Sequence, residues 1–380
     1  MAGYSWISFT INLTKLQWQS WIRLGECVSK CEHLKSVPLK PHVRDLLHQI
    51  YLAKGVHATT AIEGNTLTEQ QIQDLISDKL KLPPSKQYLE QEAKNIIEAC
   101  NEIAGDITKG NFSDITVDKI GRYNAQVLAN NVPHDEAAIP GEIRTHNVIV
   151  GNRYRAPDAK EVPLLIEKFC KWMNGPDFVN ETMPLHFAII KSIISHLYLA
   201  WIHPFGDGNG RVARLLEFAI LLNSGVPSPA AHLLSNHYNM TRAEYYNQLD
   251  KASKTGDAKD FLSYAIQGFL DGLVEHLQRI QLHVLNVCWR DYIFEKFAAH
   301  ESTKTIKRRR NLAIKISEKD DYIKKDSILL LMSKEYRDKT ERTLARDLNE
   351  LEKMQLVIKK KDGYKSNREL MLQFLPFSTT

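Results

Sequence analysis

The stretch that decides the fold reads His203-Pro204-Phe205-Gly206-Asp207-Gly208-Asn209-Gly210-Arg211-Val212-Ala213-Arg214. It combines three glycines, two arginines, one carboxylate and one imidazole in twelve residues, which is poor material for a hydrophobic core. An apolar segment at residues 185–202 leads into it, and a second apolar segment follows at 215–222. This pattern predicts a buried helix, a tight glycine-rich loop, and a second buried helix that begins near Gly208.

The loop has the features of an anion-binding site. The first N–H groups of a helix lack internal partners, and the helix dipole places partial positive charge there. Gly208 and Gly210 would let phosphate oxygens approach that backbone. Arg211 and Arg214 lie three residues apart on one face of the predicted helix, where both can reach phosphate. No lysine follows the glycines, so the loop is not a Walker-type phosphate loop.

Two side chains of the loop indicate a reaction. A carboxylate such as Asp207 beside phosphate requires a cation between them, and Mg²⁺ held by one carboxylate and phosphate oxygens is the usual solution. Histidine has an ordinary pKa near neutrality, which suits His203 to take a proton from an incoming hydroxyl. A lone glycine-rich turn is usually only a turn, and a lone histidine beside proline is usually structural. Their combination with a carboxylate and two arginines favours phosphate chemistry.

The stretch resembles the signature of the Fic family, His-x-Phe-x-Asp/Glu-Gly-Asn-Gly-Arg-x-x-Arg, at every fixed position. The resemblance implies a mainly α fold, a Fic-type helical bundle with a small β-hairpin flap. It also implies transfer of AMP from ATP to a hydroxyl side chain (Ser, Thr or Tyr) of a target protein, with release of pyrophosphate. ATP as substrate and Mg²⁺ are the implied cofactors.

The resemblance also implies a role for each loop residue. His203 is the implied general base, and Asp207 is the implied Mg²⁺ ligand. The other implied nucleotide contacts are Gly206, Asp207, Gly208, Asn209 and Gly210 around the anion hole, and Arg211 and Arg214 on the phosphates. Further along, Tyr245 or Tyr246 is implied to bound the adenine pocket, because aromatic rings stack on bases. The alternative for this tyrosine pair is ordinary helix packing.

A second pattern lies far upstream, at Thr59-Thr60-Ala61-Ile62-Glu63-Gly64. On its own it indicates a helix that ends at a glycine cap. It also resembles the inhibitory helix of Fic proteins, Ser/Thr-x-x-x-Glu-Gly/Asn. The resemblance implies that Glu63 pairs with Arg214 and keeps this arginine from the γ-phosphate of ATP. A buried, hydrogen-bonded pair of this kind is hard to open without a replacement partner.

Residues 130–157 are irregular, and Val148-Ile149-Val150-Gly151-Asn152-Arg153-Tyr154 predicts a short β-hairpin within them. In Fic proteins a flap in this place docks the target segment by backbone pairing, so we expect the target protein near residues 144–155. His146 is interpreted as a surface or structural residue that lacks a partner.

The last eighty residues differ from the rest in charge. Residues 301–380 hold 20 Lys and Arg against 13 Asp and Glu, a net charge of +7, whereas the whole chain carries +5. A helix, a short link, a second helix at 340–354 and a basic hairpin at 357–365 resemble a winged helix-turn-helix. We therefore expect an N-terminal helical region at 1–100, a Fic catalytic domain at 101–300 and a winged helix-turn-helix domain at 301–380.

This basic region has two interpretations. It could contact DNA through Arg342, Arg346 and the lysines of the hairpin. It could instead be a protein-interaction or dimerisation module with a solvated basic face, which makes a homodimer the other candidate assembly.

The amino-acid composition limits the remaining classes of protein. Hydrophobic residues make up 43% of the 380 residues and charged residues 25%, which is ordinary for a soluble globular protein. Residues 1–13 lack the pattern of a signal peptide, and Lys191 and His196 interrupt the longest apolar segment. We therefore expect a cytoplasmic protein with no membrane contact. Five cysteines without a metal-binding pattern are interpreted as free thiols.

Three functions are compatible with the sequence. The first is a protein adenylyltransferase that Glu63 inhibits. The second is an enzyme that removes AMP, with Glu63 placing the attacking water. The third is a DNA-binding regulator whose Fic domain senses nucleotide. The presence of His203 argues against the third, since a sensor needs the anion cradle but not the base.

Overall fold

The computed structural model describes residues 4, 6–150 and 154–372. These residues form two compact units, which divide between Leu277 and Gln278. Helices dominate both units, and each contains one antiparallel two-stranded hairpin in the described ranges. The mainly α fold predicted from the sequence is confirmed.

The first unit contains, in chain order, α1 (Trp18–Ser36), α2 (Pro41–Ile62), α3 (Glu69–Ile76), α4 (Gln87–Thr108), α5 (Val117–Val127), β1 (Ile149–Val150), β2 (Tyr154–Arg155), α6 (Val162–Met173), α7 (Pro184–Ile202), α8 (Asn209–Asn223), α9 (Ser228–Ala231), α10 (Leu233–Met240), α11 (Arg242–Thr255) and the start of α12 (Lys259–Ala298). Short 3₁₀ turns lie at Leu13–Lys15, Pro84–Lys86 and Pro176–Phe178.

Helices α7 and α8 form the centre of the first unit and pack against each other. Both are apolar on most of their surface, as expected for helices that neighbours cover on all sides. By length and composition α7 could cross a membrane, but most of it is buried within the unit, as in a core helix. Because both helices are buried, the loop between them is held on either side by rigid elements.

Backbone conformation ends these helices where the sequence predicts. Helix α7 ends at His203, which is left-handed (φ 49°, ψ 61°), and α8 starts directly after Gly208, also left-handed (φ 78°). Glu63 caps α2, and Gly64 follows with φ 101°, a conformation that favours glycine. The flap hairpin is present as β1 and β2, with Val150 opposite Tyr154. Its expected turn residues Gly151, Asn152 and Arg153 lie outside the described residues.

The second unit contains the rest of α12, then α13 (Lys304–Ser317), α14 (Lys325–Leu331), α15 (Ser333–Tyr336), α16 (Glu341–Lys353), β3 (Val357–Lys360), β4 (Gly363–Ser366) and a 3₁₀ turn at Arg368–Met371. Ile323 pairs with Tyr364 and adds a third segment to the hairpin. The expected helix at 340–354 and hairpin at 357–365 are thus present, while their assignment as a winged helix-turn-helix stays a prediction.

The division between the units differs from the expected boundaries at 100 and 300. Residues 4–100 share the first unit with the loop at 203–214. Helix α12 runs unbroken from Lys259 to Ala298, and Trp289, Ile293 and Phe297 near its end lie in the core of the second unit. The boundary therefore falls inside a helix, which a composition change could not reveal.

A buried ion cluster lies in the second unit. Both oxygens of Asp347, whose side chain is 1% exposed, accept hydrogen bonds from arginine: Oδ2 from Arg308 Nε at 2.7 Å and Oδ1 from Arg309 Nε at 2.8 Å. The Tyr336 hydroxyl donates to Oδ2 at 2.8 Å. Burial alone would raise the pKa of Asp347, but these donors lower it overall. Two arginines of the basic run are therefore engaged inside the fold.

Replacing Asp347 by alanine should destabilise the second unit. The change leaves two arginines and a tyrosine hydroxyl without their shared acceptor, which costs about 3–5 kcal/mol for a buried pair. Hydrogen exchange of residues 304–366 in the full chain, measured at increasing urea, reports this loss. The control is Glu350→Gln, which removes a more exposed partner of Arg309 and should have little effect. Equal protection in Asp347→Ala and wild type would contradict the prediction.

Candidate active site

The loop between α7 and α8 is fixed by hydrogen bonds to its own backbone. The side chain of Asn209 donates to the Phe205 carbonyl at 2.8 Å and accepts from the Phe205 N–H at 2.9 Å. Asn124 of α5 donates to the Asp207 carbonyl at 2.8 Å. A Cβ on Gly206 would lie only 2.7 Å from that of Ala138, so this position also requires glycine. The amides at the start of α8 are thereby held in one arrangement.

His203 occupies the mouth of this loop. Burial lowers the pKa of its imidazole to about 4; the Ala200 carbonyl opposes this effect, and the charge of Arg144 adds to it. The ring is therefore neutral at neutral pH, the state that a general base requires. Its Nδ1 is shielded from solvent, which leaves Nε2 as the nitrogen that can face a substrate.

Asp207 and Arg211 form a polar cluster beside the loop. Oδ1 of Asp207 accepts from the Gly208 N–H at 2.5 Å and from Arg211 at 3.1 Å, and Oδ2 accepts from the His134 N–H at 2.7 Å. Arg211 also reaches Glu92 at 3.4 Å. A cavity of about 470 Å³ opens next to this cluster, lined by Gln87, Gln91, Glu92, Asn130, His134 and Asp207 among others.

Asp207 is the carboxylate that would hold the predicted magnesium. Within the described ranges no group of three or more His, Cys, Asp or Glu could hold a metal ion alone. Oδ2 of Asp207 accepts one hydrogen bond and keeps a lone pair for a ligand. One carboxylate completed by phosphate oxygens and water is a normal Mg²⁺ environment. The residues thus fit an ion that arrives with a nucleotide, and Mg²⁺ stays a prediction.

Arg214 is 2% exposed and bonded to the end of α2. Its Nη2 lies 2.5 Å from Oε1 of Glu63 and donates to the Thr59 carbonyl at 3.1 Å, and its Nε donates to the Thr59 hydroxyl at 2.7 Å. Burial would raise the pKa of Glu63, but the charge and hydrogen bond of Arg214 lower it overall. Burial would lower the pKa of Arg214, but the charge and hydrogen bond of Glu63 outweigh this effect and raise it overall. The pair is ionised, and its contact is the one that the resemblance implies.

Glu63 also lies against the anion cradle. A Cβ placed on Gly210 would overlap Oε1 of Glu63 and crowd the guanidinium of Arg214. A carboxylate thus lies at the first turn of α8, where the sequence predicts a phosphate.

Helix α11 holds the end of α2 from the other side. Arg242 donates to the carbonyls of Ala61 and Ile62, and the Tyr246 hydroxyl reaches the Ile62 carbonyl at 3.4 Å. These bonds satisfy carbonyls that the last turn of a helix leaves open. Tyr246, 41% exposed, is therefore next to Glu63, and its place in an adenine pocket stays a prediction.

Tyr245 takes a different position from its neighbour. It is 3% exposed, its hydroxyl lies 2.9 Å from Nε2 of His196, and its ring stacks on Tyr238 at 4.8 Å. Of the two candidate tyrosines, only Tyr246 faces open space. Tyr238 in turn donates to the buried Glu217 at 2.9 Å. A buried polar network, which the sequence does not reveal, thus lies behind the site.

Other contributors were also missed at the sequence level. The sequence marks Thr59 only as a motif position, and it gives no signal for Arg144 or Arg242. His146, interpreted as lacking a partner, has one: its Nε2 lies 2.6 Å from Oδ2 of Asp135. The sequence does not show that a charged residue will be buried, because the partners of such a residue are distant along the chain.

With this geometry in place, known proteins were compared with the chain. Residues 114–221 match the sequence model of the Fic/DOC family. The matched stretch includes the whole loop from His203 to Arg214. The fold is also similar to a Fic family protein from Desulfovibrio desulfuricans G20, with a TM-score of 0.56 at 20% identity over 92% of this chain and 94% of that one. A Fic-1 fragment from Caenorhabditis elegans gives a TM-score of 0.55 at 24% identity, over 69% and 73%.

Two curated relatives have informative names. "Protein adenylyltransferase Fic" of Nematostella vectensis is 28% identical over 231 residues, 60% of this chain and 48% of that protein. "Protein adenylyltransferase fic-1" of Caenorhabditis elegans is 30% identical over 222 residues, 58% of this chain and 40% of that protein. The chain matches less than half the length of either relative.

The neutral imidazole of His203 predicts a loss of stability in acid. Its pKa is about 4 in the folded chain and near 6.5 when unfolded, so the unfolded chain takes up the proton first. The stability that this pKa difference contributes is complete above pH 6.5. It is lost as the pH falls toward 4, at about 1.4 kcal/mol per unit of pKa difference. Asparagine tolerates the left-handed backbone and does not titrate.

The free energy of unfolding should therefore decrease less between pH 6.5 and 4 in His203→Asn than in wild type. Urea titrations at several pH values measure this difference. His232, whose pKa burial lowers to about 3, is present in both proteins and cancels. Parallel pH curves for the two proteins would refute a low pKa at His203.

Proposed function

We propose that this Fic chain is a protein adenylyltransferase that transfers AMP from ATP to a hydroxyl side chain of a target protein and is inhibited by Glu63. The observation that carries the proposal is the convergence of a neutral imidazole, the amides of a helix start and Arg214 on one loop. The names of the curated relatives support ATP as the AMP donor.

The reaction follows from these positions. Nε2 of His203 takes the proton of the target hydroxyl as its oxygen attacks the α-phosphorus, and pyrophosphate leaves. The amides from Gly208 to Gly210 and the guanidinium of Arg211 stabilise negative charge on the phosphates. Asp207 would hold Mg²⁺ together with phosphate oxygens, and the ion would supply neutralisation of the leaving pyrophosphate.

Inhibition follows from competition for one arginine. In this state Arg214 already has three acceptors, from Glu63 and Thr59. A γ-phosphate that approached the same guanidinium would meet the carboxylate of Glu63, which lies against Gly210. ATP would then bind with its phosphates displaced, and its α-phosphorus would not face His203. Misplacement by about 1 Å is enough to cost on the order of a hundredfold in rate.

Glu63→Gly should raise AMP transfer by roughly 10- to 100-fold, because Arg214 becomes free for the γ-phosphate. The change suits the backbone, since Glu63 is a helix cap followed by glycine. The measurement is incorporation of label from α-labelled ATP with Mg²⁺, in a cell extract and with the purified chain. Thr59→Val, which removes one acceptor of Arg214, should give a smaller increase.

The control is the double variant Glu63→Gly, His203→Ala, which should incorporate no label. Equal labelling by wild type and Glu63→Gly would exclude the inhibitory role. Release of AMP from a modified target by wild type, lost in Glu63→Gly, would favour the reverse reaction. The ionised carboxylate of Glu63 beside the loop is the observation that supports removal of AMP as an alternative.

For the second unit we propose contact with duplex DNA. Arg342 and Arg346 lie one turn apart on α16 and are exposed, as are Lys359, Lys360 and Lys361 on the hairpin. Arg308 and Arg309, by contrast, are held by Asp347. These exposed cations are the groups that we propose to contact the phosphates.

Replacing Arg342 and Arg346 by alanine should weaken binding to a short duplex and lower its dependence on salt by about two charges. Fluorescence anisotropy at several salt concentrations measures both. Arg290→Ala, which removes an exposed arginine from α12, serves as the control. If the full chain binds no duplex even at low salt, the basic face belongs to a protein-interaction module instead.

A further inference from the structure

Both limbs of the flap hairpin are hydrogen-bonded to the end of α7. Arg144, which precedes β1, is 4% exposed. All three nitrogens of its guanidinium donate to backbone carbonyls: Nε to His203 at 2.8 Å, Nη1 to His146 at 2.8 Å and Nη2 to Pro157 at 2.6 Å. One side chain therefore joins the segment before β1, the segment after β2 and His203.

The second limb has its own attachment. The hydroxyl of Tyr154 in β2 donates to the Trp201 carbonyl at 2.7 Å and accepts from the Trp6 indole N–H at 3.1 Å. Trp201 lies two residues before His203, in the last turn of α7. The carbonyls of a last turn have no partner within their helix. Two of those at the end of α7 are thus bonded to the flap, one to each limb.

These bonds act on the residue whose conformation matters most. His203 has a left-handed backbone, which is uncommon for a residue other than glycine and persists only where its surroundings enforce it. The Arg144 N–H also donates to the Pro204 carbonyl at 3.0 Å. The peptide groups on both sides of Pro204 are therefore fixed by Arg144, and with them the direction of the imidazole.

We propose that Arg144 and Tyr154 are positioning residues that set the register of the flap hairpin relative to His203. They act through backbone carbonyls and touch neither nucleotide nor target. Because a target segment would pair with the flap, this register fixes the distance from its hydroxyl to Nε2 of His203. The inference rests on the proposed transfer of AMP. Its structural part, that the two side chains hold the flap, stands independently.

The test uses Arg144→Met, Arg144→Lys and Tyr154→Phe, with Arg122→Met as the matched control on an exposed arginine of α5. In the Glu63→Gly background, AMP transfer is measured to increasing amounts of a His203→Ala copy of the chain as acceptor. Binding of a fluorescent ATP analogue is measured in parallel. Hydrogen exchange of residues 146–150 and 154–157 is measured in the wild-type background.

We expect Arg144→Met to lower kcat by tenfold or more, on the scale of a displacement of about 1 Å, while the affinity for nucleotide is unchanged. Tyr154→Phe should act in the same direction, because it removes the hydroxyl that bonds the second limb to the Trp201 carbonyl. Arg144→Lys keeps the charge but cannot donate to three carbonyls in the planar geometry of a guanidinium. It should therefore restore little of the lost kcat. Exchange in the flap should rise in Arg144→Met and Tyr154→Phe and not in Arg122→Met.

Four results would overturn the inference: unchanged kcat in Arg144→Met, a parallel loss of nucleotide affinity, full recovery by Arg144→Lys, or unchanged exchange in the flap. Full recovery would mean that charge alone matters. If the parent Glu63→Gly protein transfers no AMP to any acceptor, the proposed function fails. The exchange experiment then decides separately whether the two residues hold the flap.

Discussion

Two buried helix ends meet at one short loop, and the polar groups that they leave open control the site. The carbonyls at the end of α7 and the amides at the start of α8 lie where little water can reach them. Backbone groups in such a place need partners, because an unpaired buried donor or acceptor costs as much as a lost hydrogen bond. The α7 carbonyls are bonded to flap residues. At the start of α8, the Gly208 N–H donates to Asp207, and Glu63 lies against Gly210.

Burial also sets the charge states that the chemistry needs. It lowers the pKa of His203, so the imidazole proposed as the base is neutral at neutral pH. At Arg214 and Glu63 the opposite occurs, because mutual attraction outweighs burial and both groups stay charged. The same low-polarity surroundings thus favour a neutral base and an ion pair. What differs is whether an opposite charge lies within bonding distance.

Much of the site could be predicted because it is local in sequence. The glycines, the carboxylate and both arginines of the loop fall within twelve residues, and apolar runs on either side predicted α7 and α8. The pairing of Glu63 with Arg214 was predicted from resemblance alone, since 151 residues separate the two. Arg144 could not be found this way. Its partners are backbone carbonyls, which every residue has, so nothing in the sequence marks them.

The buried network behind the site was missed for a related reason. Glu217 and His196 each interrupt an apolar helix. In a sequence, such an interruption indicates a short exposed face. In the fold they are both buried, and Tyr238 and Tyr245 supply their hydrogen bonds. A prediction from periodicity assigns polar residues to the surface. It fails where a buried polar side chain forms its hydrogen bond with a side chain of another helix. The boundary inside α12 was missed because a continuous helix gives no change in composition.

The Glu63 contact and the flap contact reach the loop from its two ends. Glu63 acts on the α8 side, at Gly210 and Arg214, whereas the flap acts on the α7 side, at the carbonyls of Trp201 and His203. Asn209 locks the residues between them through both backbone groups of Phe205. In the proposed mechanism, a rigid connection of this kind would let Glu63 displace the phosphates without disturbing His203. Regulation of the nucleotide and positioning of the target can therefore be separated in a loop only a few residues long.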